Sequence, residues 1–260
     1  MKSAEKFIQD VAREAGDAVL KRFGKDGIHY MKSEFRFDAV TKADLLSEEM
    51  IISRIKRAFP EHGIISEERG AVQEGTKYVW IIDPIDGTLN FASGIPMFGV
   101  MLCLVSDGDV KLSVIYLPAM KELYFAKAGK GAYLNGKKIR CSQRTKLHHS
   151  FGLGSTSVTQ TRTELFLKRV FTAGAGGTYI QYGSFNSMSS NACFVAAGRR
   201  DWIVPLVGSL WDFAPAYLLL KESGCKVTDT EGRKWRLGVQ GFVAANPRLH
   251  KQLLKLTKNM

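Results

Sequence analysis

The chain has 260 residues, enough to bury a large core as one big domain or two intimate ones. Its apolar content of 45% and charged content of 24% are those of an ordinary soluble globular protein, and the net charge of +12 favours anionic partners in general. Four separated cysteines, with no Cys-x-x-Cys pair and no histidine at ligand spacing, argue against a disulfide framework or a zinc site and predict reduced thiols.

The opening residues are charged and lack the apolar core of a signal peptide. Phe7, Ile8, Val11, Ala15, Ala18, Val19 and Phe23 then recur at helical spacing, with Gly24 as the stop. A loop from Lys25 to Asp38 follows. Thr41-Lys42-Ala43-Asp44 resembles a capping box with Asp in place of Glu. The helix it opens is expected to turn Leu45, Ile52, Ile55 and Phe59 inward and to end before Pro60.

Tyr78 to Ile82 reads as a buried strand. Val100 to Val105 is another, and Ser106 to Asp109 a hairpin turn. Strands at 110–116 and 122–127 and a tight turn at Asn135-Gly136 make the middle largely antiparallel sheet. The longest apolar run, Met97 to Val105, is too short to cross a bilayer.

The second half alternates helix and strand. Thr161 to Glu164 carries a capping-box signature, and Gly174 to Gly177 reads as a plain turn. A helix is predicted from about Ser187 to Ala197 and a short strand over 201–204. Trp211-Asp212 opens a further helix, with Pro215 in its first turn and Gly224 past its end. Asn246-Pro247 starts a last helix, whose Lys251, Lys255 and Lys258 form a solvated face. These elements predict layered helices and sheets in two tightly joined subdomains, 1–145 and 146–260.

The chemistry concentrates in Asp83-Pro84-Ile85-Asp86-Gly87-Thr88, directly after the Tyr78 strand. Two carboxylates there repel each other unless a cation lies between them, and hard divalent cations such as magnesium favour an all-oxygen setting. The glycine admits a ligand to the backbone. Glu67 and Glu68 end a short apolar run, and Asp44 and Asp212 lie at helix starts. Taken singly, these acids read as caps or surface charges. Helix-start and strand-end groups converge at one edge of layered α/β folds, which predicts a shared site. The five histidines stand apart from these motifs.

Asp83 to Phe91 resembles the first signature of the inositol monophosphatase family, and Trp211 to Ala216 the second. Asp38 to Asp44 and Ser66-Glu67-Glu68 match two further family motifs in the expected order. The resemblance implies an α-β-α-β-α layered sandwich and a magnesium-dependent, lithium-sensitive phosphomonoesterase using two to three ions. It implies that Glu67, Asp83 and the Ile85 carbonyl hold a first metal, that Asp83, Asp86 and Asp212 hold a second, and that Glu67 touches a third. Thr88 and Asp44 would polarise the attacking water, with Glu67 beside them. Gly87 and Thr88 N–H groups would bind the phosphate next to Asp86 and Asp212. Lys32 would stand where the family's loop lysine reaches the phosphate.

Two stretches depart from the family pattern. Pro205 stands where relatives carry a substrate-binding acid, seven residues before Asp212. Gly183 to Asn191 lacks the usual arginine and small-residue run. Both belong to the alcohol side of the pocket rather than the metal side, so the pattern supports dephosphorylation more than it supports inositol phosphate as the substrate. Inositol 1-phosphate or a related sugar phosphate is expected, with fructose 1,6-bisphosphate or histidinol phosphate as alternatives. Relatives are often homodimers, and a cytoplasmic dimer is expected by analogy. The charge also supports a different role, binding RNA or the transcription machinery, although aromatic–basic interleaving is not evident.

Overall fold

The structure, a computed structural model, describes residues 2–33, 39–72, 75–154, 161–174 and 180–260. Asp38 and residues 175–177 lie outside the described residues. The helices are α1 (Lys2–Arg22), α2 (Lys42–Ala58), α3 (Thr88–Ala92), α4 (Thr161–Gly174), α5 (Met188–Ala196), α6 (Leu210–Glu222) and α7 (Pro247–Thr257). Strands β1 (Tyr30–Met31) and β2 (Ala39–Val40) pair alone. An eight-stranded sheet follows from β3 (Gly63–Ser66), β4 (Gly70–Val72), β5 (Tyr78–Asp86), β6 (Gly99–Ser106), β7 (Asp109–Leu117), β8 (Glu122–Lys127), β9 (Gly131–Leu134) and β10 (Lys137–Ile139). A five-stranded sheet contains β11 (Ser150–Gly154), β12 (Ile180–Gly183), β13 (Trp202–Val204), β14 (Lys226–Thr228) and β15 (Val243–Ala245), with β12 and β14 at its edges.

Side-chain alternation sets the layers. Trp80, Ile82, Val100, Leu102 and Leu104 leave one face of the large sheet and pack on Ile8, Val11 and Ala15 of α1 and Ile51, Ile52 and Ile55 of α2. Ile81, Met101, Cys103 and Val105 leave the other face and meet α5, α6 and Leu153, Ile203 and Ala244 of the small sheet. Trp202, Val204, Val243 and Ala245 leave the far face of the small sheet toward Phe166 and Val170 of α4 and Leu249 and Leu253 of α7. The result is the five-layer α-β-α-β-α sandwich. Strand β6 is buried at every position because both its faces are covered.

Three local expectations change. Leu45 is exposed, and Ile51 takes the inward place, because the stripe of α2 follows Ile51, Ile52 and Ile55. Ser209 caps α6, so Pro215 lies in the second turn rather than the first. The Ser113 hydroxyl donates to the Pro215 carbonyl, tying that part of α6 to the sheet. Thr161 is helical rather than a cap.

Candidate active site

The strand that carries the first two acids does not stop at Ile82. It continues to Asp86 with Asp83 opposite Met101 and Asp86 opposite Gly99, so three steps on β5 match two on β6. That is a bulge at Pro84-Ile85, where proline costs no ladder bond. In a regular strand Asp83 and Asp86 would point to opposite faces, and the extra residue brings them round together. Asp83 follows Ile81 in the register that faces α6, and Asp212 lies in the first turn of α6. Oxygens of Asp83, Asp86 and Asp212 lie within 4.8 Å of one another.

Each acid is held by a different device. Asp83 is buried, and its Oδ1 has no hydrogen-bond partner. Burial, then the charges of Glu67, Asp86 and Asp212, push its carboxyl well above the ordinary value. Glu67 is in hydrogen-bond contact with Asp83, and burial raises its carboxyl too, against the opposing charge of Lys32. Lys32 Nζ bridges Glu67 at 2.9 Å and Glu68 at 2.8 Å, so in this structure it serves the glutamates. Burial alone would lower the lysine pKa, and the two glutamates more than offset it and raise it. Glu48 of α2 accepts from the backbone N–H groups of Glu68 and Arg69, which fixes the turn behind Glu67.

Asp86 lies against the start of α5. It accepts from Ser187 Oγ at 2.5 Å, Met188 N at 2.9 Å, Ser189 N at 2.8 Å and Ser189 Oγ at 2.6 Å. Sequence reasoning missed these donors. Their only signal was the run of serines before a helix, a hundred residues from Asp86. Asn90 holds the same segment by donating to the carbonyls of Met97 and Phe185.

The two helix-start acids cap and face the cluster at once. Asp44 Oδ2 accepts from Thr41 N at 2.8 Å, and its Oδ1 accepts from Thr88 Oγ1 at 3.1 Å. Burial raises the Asp44 carboxyl to about 6. Thr88 Oγ1 also lies 2.9 Å from the Ile85 carbonyl, so one hydroxyl joins three site residues. Asp212 Oδ2 accepts from Ser209 N at 2.5 Å. Gly87 has φ 83°, and a Cβ there would come within 2.7 Å of the Met97 carbonyl. Only glycine fits that turn. Pro205 is buried, its carbonyl accepting from Phe242 N. His62 accepts from Trp80 Nε1 and His250 pairs with Thr228, so both serve packing.

Three clustered carboxylates with an unpartnered buried oxygen make a donor set suited to a hard divalent cation. A cavity of about 180 Å³ opens on it, lined by Asp86, Ser187, Met188, Val207 and Asp212. The family model described as "Inositol monophosphatase family" matches residues 1–260. The chain belongs to the inositol monophosphatase family. It is therefore a phosphoric monoester hydrolase of a metal-dependent family. A Thermotoga maritima protein named fructose-1,6-bisphosphatase/inositol-1-monophosphatase is 33% identical over 98% of this chain and 95% of its own. A putative Nus factor SuhB of Neisseria meningitidis is 34% identical over 94% of each chain. The solved structure of the extragenic suppressor protein SuhB from Bartonella henselae superposes with a TM-score of 0.90 at 28% identity over 99% of both chains. Among the described residues, no helix is long and apolar enough to cross a membrane.

Proposed function

We propose that this member hydrolyses a small phosphate monoester, inositol 1-phosphate or a related sugar phosphate, with magnesium as its cation. The observation that carries this reading is the cluster of buried Asp83 and Asp86 with half-buried Asp212, and the unpartnered Asp83 oxygen within it. Those three residues, Glu67 and the Ile85 carbonyl would hold two to three ions. Bound cations neutralise phosphoryl charge and acidify water, which is the chemistry a doubly charged ester requires.

The protein's own groups orient and accept. Thr88 Oγ1 takes a hydrogen bond from the attacking water and passes its own proton toward Asp44. The water oxygen bonds to phosphorus, the bond from phosphorus to the alcohol oxygen breaks, and the alcohol leaves with that electron pair and takes a proton from solvent, while Asp44 later returns its own proton to solvent. Gly87 and Thr88 N–H groups, unused by the helix they open, hold phosphate oxygens. Met188, Asn186 and Val207 face the alcohol in place of a carboxylate. Residues 1–145 supply most of the ion ligands and 146–260 supply Asp212 and the alcohol side. We further take the protein to act as a cytoplasmic homodimer.

The test is phosphate release from a panel of esters with magnesium, with a chelator, and with added lithium. Magnesium-dependent release that lithium inhibits supports the reading. An Asp86→Asn protein that folds and turns over as fast as the wild type overturns the assignment of the second ion.

A second reading rests on the charge of +12 and on relatives named Nus factor SuhB. There the protein binds RNA or the transcription machinery. RNA affinity falling steeply with salt, without phosphate release, favours it. The buried acids argue for catalysis, because a carboxylate cluster without ions destabilises the fold.

A further inference from the structure

A groove of about 430 Å³ opens beside the catalytic cavity. It follows the edge strand β12 and passes over Phe151 and Phe185 to Arg200. Ser184 lines both the groove and the cavity that holds Asp86 and Asp212, so the two meet there. Gly183, the last residue of β12, leaves the junction open. A Cβ at that position would meet nothing within 4 Å.

Arg200 is the charged side chain of the groove's described lining. Its guanidinium lies 5.5 Å from the Phe151 ring centroid and 5.8 Å from that of Phe185. One nitrogen donates to the Arg199 carbonyl at 2.8 Å. Asp201, its neighbour in sequence, is turned away, accepting from Ser142 and from Phe151 N and pairing with Arg144. Aromatic contacts hold the guanidinium plane and strip part of its water. The remaining donors form a planar fork that suits a phosphate or carboxylate. The catalytic cavity, at about 180 Å³, is smaller than a usual small-molecule site, so a substrate longer than a simple monoester extends into the groove.

We propose that Arg200 and this groove form a second anion subsite, which receives a phosphate or carboxylate carried at the far end of the leaving alcohol. The favoured substrates are then doubly anionic small esters such as sugar bisphosphates. The inference rests on the phosphatase reading above and adds a residue that selects among substrates.

The experiment compares kcat/KM for fructose 1,6-bisphosphate with kcat/KM for fructose 1-phosphate, both with magnesium. Arg200→Gln is expected to lower the ratio about tenfold or more, mainly through KM. Arg200→Lys recovers part of the loss because it keeps the charge. Should Arg200→Gln fail to fold, Gly183→Leu carries the same test, since its side chain enters open space at the junction and narrows it. A ratio that does not move in a folded variant overturns the subsite. If the wild type hydrolyses neither these two esters nor inositol 1-phosphate, the phosphatase reading fails. The subsite is then read by calorimetry of the two esters with wild type and Arg200→Gln. Tighter binding of the bisphosphate that the substitution removes supports it, and equal binding overturns it.

Discussion

Ser189 donates twice to the same oxygen of Asp86, from its backbone N–H at 2.8 Å and from its hydroxyl at 2.6 Å. With Ser187 and Met188 the carboxylate has four donors, two of them backbone groups at the start of α5. Such donors hold the Asp86 side chain in one orientation and couple the bulge of β5 to the second half of the chain.

Ser189→Ala removes one hydroxyl and leaves the backbone donors in place. The expected cost is about 1–2 kcal/mol of stability, read by denaturant unfolding without divalent cation. Magnesium affinity should weaken as well, because Asp86 is then held less firmly. Calorimetry of magnesium binding checks this, and an unchanged affinity would separate Ser189 from the ion site.

Asp83 gives the clearest linkage. Its carboxyl titrates well above the ordinary value in the fold because of burial and the charges of Glu67, Asp86 and Asp212. The folded state therefore binds the proton more tightly than the unfolded state, and stability falls as pH rises from the unfolded pKa through the folded one. At neutral pH an ion-free wild type carries that cost. Asp83→Asn removes it and is expected to unfold later than wild type by on the order of 1 kcal/mol without cations. Magnesium at a hundredfold excess over its Kd should stabilise wild type by about 2–3 kcal/mol. The variant should show no such response. Thermal unfolding with magnesium and with chelator measures both.

His250 titrates with the opposite sign. Thr228 Oγ1 donates its hydrogen to the Asp229 carbonyl, so it accepts from His250 Nε2 at 2.9 Å. That leaves Nδ1 unprotonated and without a partner in the core. Burial lowers the histidine from 6.5 to about 4, helped by Lys226. The unfolded state takes up the proton first as pH falls, so stability is whole above about 6.5 and declines down to about 4. The loss is on the order of 3 kcal/mol, and His250→Gln should flatten that part of the profile. Denaturant midpoints across this range decide it.

The acids were legible in the sequence because two carboxylates directly after a buried strand repel each other without a cation, and helix-start acids converge on such a strand end; Asp83, Asp86 and Asp212 do meet. The layers were legible too, since an unbroken apolar run such as Tyr78 to Ile82 marks a strand covered on both faces and the stripe of α1 declares its inward side. The bulge was hidden: Pro84-Ile85 reads as a loop until β6 supplies the register. The serines on Asp86 were hidden for a related reason, since Ser187 and Ser189 are 101 and 103 residues away. Leu45 misled because a single apolar residue at helical spacing does not fix the centre of the stripe.

Gly87 tests how tightly the turn between Asp86 and Thr88 is drawn. It has φ 83°, and an added Cβ would lie 2.7 Å from the Met97 carbonyl and 3.1 Å from the Ser187 Cβ. The first neighbour is backbone and cannot swing aside. Gly87→Ala should therefore cost about 1–3 kcal/mol of stability. The damage is expected to exceed that in catalysis. The segment that gives way carries Ser187, which holds Asp86, and the chain beyond Gly87 carries Thr88, which touches Asp44 and the Ile85 carbonyl. Phosphate release should drop about a hundredfold, on the scale of misplaced reacting groups. Comparing turnover with denaturant midpoints in one preparation separates the two effects. A folded Gly87→Ala protein with undiminished turnover would mean that this turn does not position the chemistry.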